Sequence, residues 1–279
     1  MNFLELIKNG SQLLKAKKIE SHVLDSELIA SFVLNRSREN ILINSKEKVQ
    51  SNEISFFNKL IERRKRYEPI AYIFNSKEFW SRDFKIDNRA LIPRPETEMM
   101  VEAVSKILKN RKFSFLDVGV GSGCITASIL FENLHSFGVG LDTSSSAIKV
   151  AKKNILRFKL QNRCKLLNRS YEKFYGYKFD LVVSNPPYIR SSDIKKLPMD
   201  IRKYEPRLAL DGGKDGLDVI KKVIYKSRST LKKNGLLAIE IGNGQFIKVS
   251  RLLKLLDYKI ILTIEDYQKN VRCILSLLK

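Results

Sequence analysis

The stretch FSFLDVGVGSGCITASILF, residues 113–131, decides the fold. It opens with an apolar run, Phe113 to Val118, closed by three glycines at alternate positions, Gly119, Gly121 and Gly123. A short apolar run stopped by glycine reads as a buried strand. From Ser122 to Phe131 small and apolar residues continue in a helical register. Strand, tight turn and helix open a βα unit. Glycines there let a ligand approach the backbone, and the helix amides point toward it.

Downstream the rhythm repeats. A second strand, Phe137 to Leu141, ends at Asp142, and a helix follows from Ser144 to Phe158. Cys164 to Leu167 is a weak third strand and Phe179 to Ser184 a strong fourth. Leu217 to Leu231 reads as helix, Leu236 to Ile241 as a fifth strand, and Tyr258 to Ile264 and Val271 to Leu278 as two closing strands. Alternation of this kind predicts an α/β fold, a mostly parallel sheet with helices on both faces.

Asp142 stands 19 residues after Gly123, close to the roughly 20 expected of an acid that binds ribose hydroxyls. The competing role for Asp142 is a helix cap before Thr143 and Ser144. The turn is GxGxG, not the GxGxxG of dinucleotide sites, and Asp117 precedes the first glycine by two. An acid there suits a cation and would repel a pyrophosphate. S-adenosylmethionine, whose sulfonium is positive, is the expected cofactor. Its candidate contacts are Asp117, Gly119, Val120, Gly121, Ser122, Gly123 and Asp142.

The fourth strand runs into Ser184–Asn185–Pro186–Pro187–Tyr188–Ile189. Open α/β sheets bind ligands at strand carboxyl ends, and consecutive prolines stiffen a loop. The chemistry selects these residue types. A planar nitrogen is a poor nucleophile because its lone pair is delocalised. The Asn185 side-chain oxygen and the Pro186 carbonyl can each accept one N–H of an NH₂ group. Tyr188 is expected to pack on the planar group. Asn185, Pro186 and Tyr188 are thus the catalytic candidates, and Asn185, Pro186, Pro187 and Tyr188 the substrate-binding set. Asn185 also borders the cofactor.

Upstream, residues 1–66 read as helices. Phe3, Leu4, Ile7, Leu13 and Leu14 form one apolar stripe, Val23, Leu24, Leu28, Phe32 and Val33 a second, and Ile54, Phe57, Leu60 and Ile61 a third. The run Arg63 to Arg66 then sits in a last turn, where cations suit the helix dipole. Pro69, Trp80, Pro93 and Pro95 mark a change of character. The expected division is a helical domain at 1–74, to which the family resemblance set out below assigns substrate recognition, a β-hairpin connector at 75–95 and an α/β domain with the candidate site at 96–279.

The net charge is +22. It is spread along the chain, and lysine drift on solvated faces and attraction to RNA-rich machinery explain it about equally. His22 and His135 stand apart from other candidate ligands, and Cys124, Cys164 and Cys273 form no CxxC pair. No metal site is expected. No apolar run approaches the roughly 20 residues that cross a bilayer, and Glu5 and Lys8 break any leader-like start, so neither membrane association nor export is expected.

The segments DVGVGSG, Asp142 and NPPY together resemble class I (Rossmann-like) methyltransferases acting on planar nitrogens. EPIAYI at 68–73, EFW at 78–80, LIPRPETE at 91–98, YEPRLALDGGKDGL at 204–217 and EIGNGQ at 240–245 narrow the likeness. Taken over nearly the whole chain, the sequence resembles the release-factor glutamine methyltransferases, the PrmC/HemK family. The resemblance implies a seven-stranded mixed sheet, S-adenosylhomocysteine as the cofactor product, and a cytoplasmic enzyme. It also implies methylation at N5 of the glutamine in the Gly-Gly-Gln motif of class-I peptide chain release factors, with no direct nucleic-acid substrate. Val120 stands where the family often has Thr or Cys. Asn168–Arg169–Ser170–Tyr171 replaces a stretch that usually offers an acid and a large side chain near the adenine. Tyr171 is either a cofactor contact or a half-buried aromatic after a strand. Arg94 and Glu96 are candidates to shape the cofactor entrance, and Glu96 equally suits the start of a helix after Pro95. A DNA or RNA adenine-N6 methyltransferase would use the same loop on a flipped base, and a non-catalytic binding module would have no need of it.

Overall fold

The computed structural model describes residues 1–279. They form two compact units, Met1–Ser76 with Pro198–Tyr204, and Lys77–Leu197 with Glu205–Lys279.

The first unit holds α1 (Phe3–Lys15), α2 (His22–Leu34), α3 (Arg38–Ile43), α4 (Ser51–Lys65), α5 (Ile70–Ile73) and the later α9 (Met199–Tyr204). A capping box starts α1: the Asn2 side chain accepts from the Glu5 amide, and the Glu5 carboxylate accepts from the Asn2 amide. The first and third stripes supply the core through Phe3, Ile7, Leu14, Phe57, Leu60 and Ile61. Leu4 and Leu13 fall outside it and are exposed.

Of the second stripe, Val33 packs against this core, but most of the stripe lies on the other face of α2. Val23, Leu24 and Phe32 are exposed, whereas Asp25, Ser26, Ile29 and Ala30 are buried. Polar groups can turn inward here because partners await them. Ser26 Oγ donates to the Ile7 carbonyl at 2.7 Å, and Arg64 Nε donates to Asp25 Oδ2 at 2.7 Å. The basic run therefore does more than meet a helix dipole. Arg64 is an internal hub that also donates to the Glu68 carbonyl at 3.2 Å and lies 3.9 Å from Asp200, while Arg63 pairs with Glu68. Asp25→Ala strands a buried guanidinium and should destabilise the protein by about 2 kcal/mol, below the usual cost of breaking a buried pair because two acceptors remain. Denaturant unfolding monitored by circular dichroism checks this.

A hairpin follows, β1 (Ser76–Phe79) and β2 (Arg82–Lys85), all but Ser76 of which belongs to the second unit. Trp80 and Ser81 form its two-residue turn with φ of 52° and 54°, the left-handed pair that matches strand twist. Next come α6 (Pro95–Ile107), β3 (Ser114–Val118), α7 (Cys124–Glu132), β4 (Phe137–Asp142), α8 (Ser145–Arg157), β5 (Cys164–Asn168) and β6 (Phe179–Ser184). After α9 follow α10 (Asp218–Thr230), β7 (Leu231–Glu240), α11 (Phe246–Leu255), β8 (Tyr258–Glu265) and β9 (Val271–Leu278). The seven-stranded sheet has the order β5-β4-β3-β6-β7-β9-β8. Pairings from β5 to β7 are parallel, and β9 runs antiparallel to both its neighbours. This is the expected mixed sheet of the Rossmann-like methyltransferase class.

Both sheet faces are buried, so strand side chains divide by parity. Phe115, Leu181, Val183 and Ala238 join one core with α6, α7 and the hairpin's Phe79 and Phe84. Leu116, Val118, Val182, Leu237 and Ile239 join another with α10 and α11. The chain leaves β3 for β4 and β5, then returns to β6 on β3's other side. The carboxyl ends of β3 and β6 thus flank a topological switch point, where such sheets bind ligands. No helix is long and apolar enough to cross a membrane.

Candidate active site

At that switch point lies a cavity of about 360 Å³, lined by residues of the second unit. Gly119, Gly121, Asp142, Tyr171, Asn185 and Pro186 all border it, as does Pro187. Asp117, Val120, Ser122, Gly123 and Tyr188 do not.

The glycine turn is fixed from beneath. The amides of Gly119 and Val120 both donate to the Leu141 carbonyl at 2.9 Å. Gly119 has φ of 80°, and a Cβ there would meet no atom within 4 Å. The backbone is thus bare where it faces the cavity, and any side chain would fill ligand space. Val120 turns away into a small cluster with Ile148 and Ala151. Gly123, also left-handed, caps α7. Ser122 is buried, and its carbonyl accepts from Asn154 Nδ2 at 2.8 Å. Asn154 also exchanges two hydrogen bonds with the Lys85 backbone, at 2.8 and 2.9 Å, so one buried amide ties the glycine turn to the hairpin.

Asp142 closes the turn. Its Oδ2 accepts from the Gly121 amide at 3.0 Å and its Oδ1 from the Ser144 amide at 2.8 Å. The cap of α8 is Ser144, whose Oγ accepts from the Ala147 amide. Asp142 is therefore not the cap, and each of its oxygens keeps a lone pair for a further donor. Burial pushes its carboxyl upward, against the pull of those amides.

Asp117 sits beneath the turn, fully enclosed. Thr126 Oγ1 donates to its Oδ2 at 2.6 Å, while Oδ1 is buried without a partner. Burial pushes the carboxyl up to about 7. The folded protein thus keeps this proton after the unfolded chain has lost it, so folding stability falls as pH rises from about 4 to about 7. Asp117→Asn should flatten that decline and raise the melting temperature at pH 8, as thermal melts from pH 4 to 8 would show.

Tyr171 borders the cavity from the turn after β5, with its hydroxyl bonded to Thr230. It is buried against the core, an aromatic after a strand that also forms part of the cavity wall.

The Asn-Pro-Pro-Tyr loop is held from behind. Ser184 Oγ donates to the Val118 carbonyl at 2.7 Å, locking β6 to β3 at the cavity floor. The Ile189 amide donates to the Leu210 carbonyl, and the Gly212 amide to the Ile189 carbonyl. Gln245 Nε2 donates to the Tyr188 and Gly216 carbonyls at 3.0 and 3.1 Å. Gly216 passes so close that a Cβ would lie 2.5 Å from the Tyr188 carbonyl oxygen. The DGGKDGL and GNGQ segments thus form the backing of the loop. Glu205, buried, accepts from Arg94 and from the Ile92 amide, and so anchors the segment before α6.

Asn185 Nδ2 donates to Thr97 Oγ1 at 3.1 Å, leaving Oδ1 without a donor from the chain. The Pro186 carbonyl likewise takes none. Two unpaired carbonyl oxygens therefore sit on neighbouring residues at the cavity edge. Tyr188 is placed differently from expectation. Its ring packs against the core and its hydroxyl donates to Glu240 Oε1 at 3.2 Å, because a buried phenol needs a partner. Burial and the Glu240 carboxylate push the phenol upward. Burial likewise raises the Glu240 carboxyl, opposed by the Thr97 hydrogen bond, Arg272 and Tyr188. Thr97, Glu240, Arg272, Gln245 and Asn154 lay outside the sequence-derived site. Thr97, Glu240 and Gln245 fall in the RPETE and EIGNGQ segments, whose roles spacing alone does not reveal.

The cavity fits S-adenosylmethionine: a bare glycine turn for its amino-acid end and a carboxylate with spare acceptors for its ribose. Comparison with known proteins agrees. A family model described as the PrmC N-terminal domain matches residues 5–74, and the methyltransferase small domain matches residues 95–200. The release factor glutamine methyltransferase of Clostridium botulinum is 37% identical over 277 residues, covering 97% of each chain. That of Caulobacter vibrioides is 36% identical over 265 residues, covering 94% of this chain and 92% of the relative. A bifunctional methyltransferase of Rickettsia prowazekii is 33% identical over 290 residues, and the chain spans only 56% of its length. The hMettl16 catalytic domain superposes with a TM-score of 0.59 at 13% identity, covering 82% of this chain and 83% of that domain. A methyltransferase from Pyrococcus furiosus gives 0.55 at 15% identity, covering 77% and 98%. These last two likenesses concern the fold alone.

Proposed function

Since the chain belongs to the release factor glutamine methyltransferase family, we propose that it methylates the side-chain amide N5 of the glutamine in the Gly-Gly-Gln motif of class-I peptide chain release factors. One observation carries the chemistry: the Asn185 side-chain oxygen and the Pro186 carbonyl, free of internal donors, border the cofactor cavity. When bound, S-adenosylmethionine supplies a methyl group on a positively charged sulfur and leaves as S-adenosylhomocysteine.

Gly119, Gly121 and Asp142 hold the cofactor, Tyr171 walls its pocket, and Asp117, beneath the turn, holds Thr126 at the start of α7. Val120, Ser122 and Gly123 serve through the backbone shape they give that turn. Asn185 and Pro186 each accept one N–H of the substrate carboxamide. Two acceptors fix the plane of the amide and aim its nitrogen lone pair, the positioning that makes a weak nucleophile react. Pro187 stiffens the loop, and Tyr188 anchors it from behind. No strong base is required, because the nitrogen grows acidic as it gains the methyl group and can release its proton afterwards. The helical unit, residues 1–74, is assigned to recognition of the release factor away from the reactive loop. The protein works in the cytoplasm, where translation termination takes place.

Mass spectrometry of the release-factor tryptic peptide containing the motif, before and after treatment with protein and cofactor, tests this. A single added methyl on the glutamine is expected. Methyl groups found on the adenine amines of added RNA or DNA, with none on the release factor, would instead establish the adenine-amine reaction.

A further inference from the structure

Asn185 can serve this reaction only if its oxygen, not its nitrogen, meets the substrate. A carboxamide is almost symmetric in shape, so packing alone does not choose between the two faces. A hydrogen-bond relay behind the loop can. Glu240 ends β7 and is almost wholly buried. As a carboxylate it can only accept. Thr97, buried in the first turn of α6, donates its single hydroxyl proton to Glu240 Oε2 at 2.7 Å. With that proton committed, Thr97 Oγ1 can offer Asn185 only a lone pair. The atom facing it at 3.1 Å is accordingly Asn185 Nδ2.

The same logic runs on the other side of the carboxylate. Arg272 Nη2, a donor only, donates to the Tyr188 hydroxyl oxygen at 3.2 Å. The phenol's own proton is then free for Glu240 Oε1, also at 3.2 Å. Protons thus converge on Glu240 from both ends, and each polarity in the relay follows from the last.

We propose that Thr97 and Glu240 are positioning residues that select the reactive face of Asn185, holding its oxygen toward the substrate by denying its nitrogen any other place. The proposal rests on the reading of Asn185 as the amide clamp. Without the Thr97 hydroxyl the Asn185 amide can turn over. Its NH₂ would then oppose the NH₂ of the substrate, and the clamp would lose one of its two acceptors.

Thr97→Val keeps the shape and removes the hydroxyl, and Thr97→Ala removes it with less bulk should valine disturb the fold. Both should lower kcat about 30-fold, less than removing the Asn185 oxygen outright because the released amide still spends part of its time in the productive orientation, with cofactor affinity by calorimetry within about threefold of wild type. Thr97→Ser, which restores the donor, should return kcat to within about threefold. In an Asn185→Ala background, Thr97→Val should cost less than about twofold more, because there is no amide left to orient. Wild-type transfer with undiminished kcat in the valine and alanine variants, or a full additional loss on top of Asn185→Ala, would overturn the relay alone. Absence of methyl transfer by the wild-type protein would overturn the assigned function, and the relay's role with it.

Discussion

Asn185→Ala should lower kcat about a thousandfold, roughly 4 kcal/mol of transition-state stabilisation, while cofactor binding survives within about tenfold. The size follows from what is removed. The side-chain oxygen is one of two acceptors for the substrate amide, and it stands on a loop made rigid by two prolines and a backing of internal hydrogen bonds. Water entering the gap left by alanine would accept an N–H but would not hold the nitrogen in line. Asn185→Asp retains an acceptor yet places a second oxygen opposite Thr97 Oγ1, whose proton already belongs to Glu240. It should therefore recover little. Single-turnover methylation of a release factor measures both variants, and undiminished turnover by the alanine variant would refute the clamp.

Asp142→Ala should weaken cofactor binding about a hundredfold, close to 3 kcal/mol, with a far smaller effect on the transfer step once cofactor saturates. Two losses combine. The ribose hydroxyls lose their charged acceptor. The amides of Gly121 and Ser144 also lose the oxygens they donate to, at 3.0 and 2.8 Å, so the glycine turn is held less firmly. The helix cap itself persists, because Ser144 supplies it. Asp142→Asn should fall between the two, since one amide oxygen replaces two carboxylate oxygens and its NH₂ opposes a backbone N–H. Titration calorimetry with S-adenosylhomocysteine would show the order, and an alanine variant binding within threefold of wild type would remove Asp142 from the cofactor site.

What the sequence made legible was local. Phe113 to Val118 and Phe179 to Ser184 read as strands because both sheet faces are buried and every residue can be apolar. The glycine turn and the Asn-Pro-Pro-Tyr loop read as sites because their residue types are costly or rare within regular structure. What stayed hidden depends on partners distant in the chain. Asp25 faces inward because Arg64, 39 residues away, meets it there, so hydrophobic spacing misplaces most of the buried face of α2. Thr97 meets Glu240 across 143 residues and Asn185 across 88. Nothing in the local pattern of a helix start or a strand end announces such a relay. Its neighbours in sequence point Tyr188 at the substrate, but a buried acid and Arg272 draw its hydroxyl behind the loop. Spacing from the first glycine likewise points Asp117 at the cofactor, whereas alternation along β3 puts its side chain with Thr126, under the turn.

The most direct measurement is a crystal structure of the protein with S-adenosylhomocysteine and a release-factor fragment carrying the Gly-Gly-Gln motif. The glutamine Nε2 should lie within hydrogen-bonding distance of Asn185 Oδ1 and the Pro186 carbonyl oxygen, facing the cofactor sulfur. A glutamine amide seated elsewhere, or an Asn185 oxygen turned toward Thr97 and away from the substrate, would contradict the account.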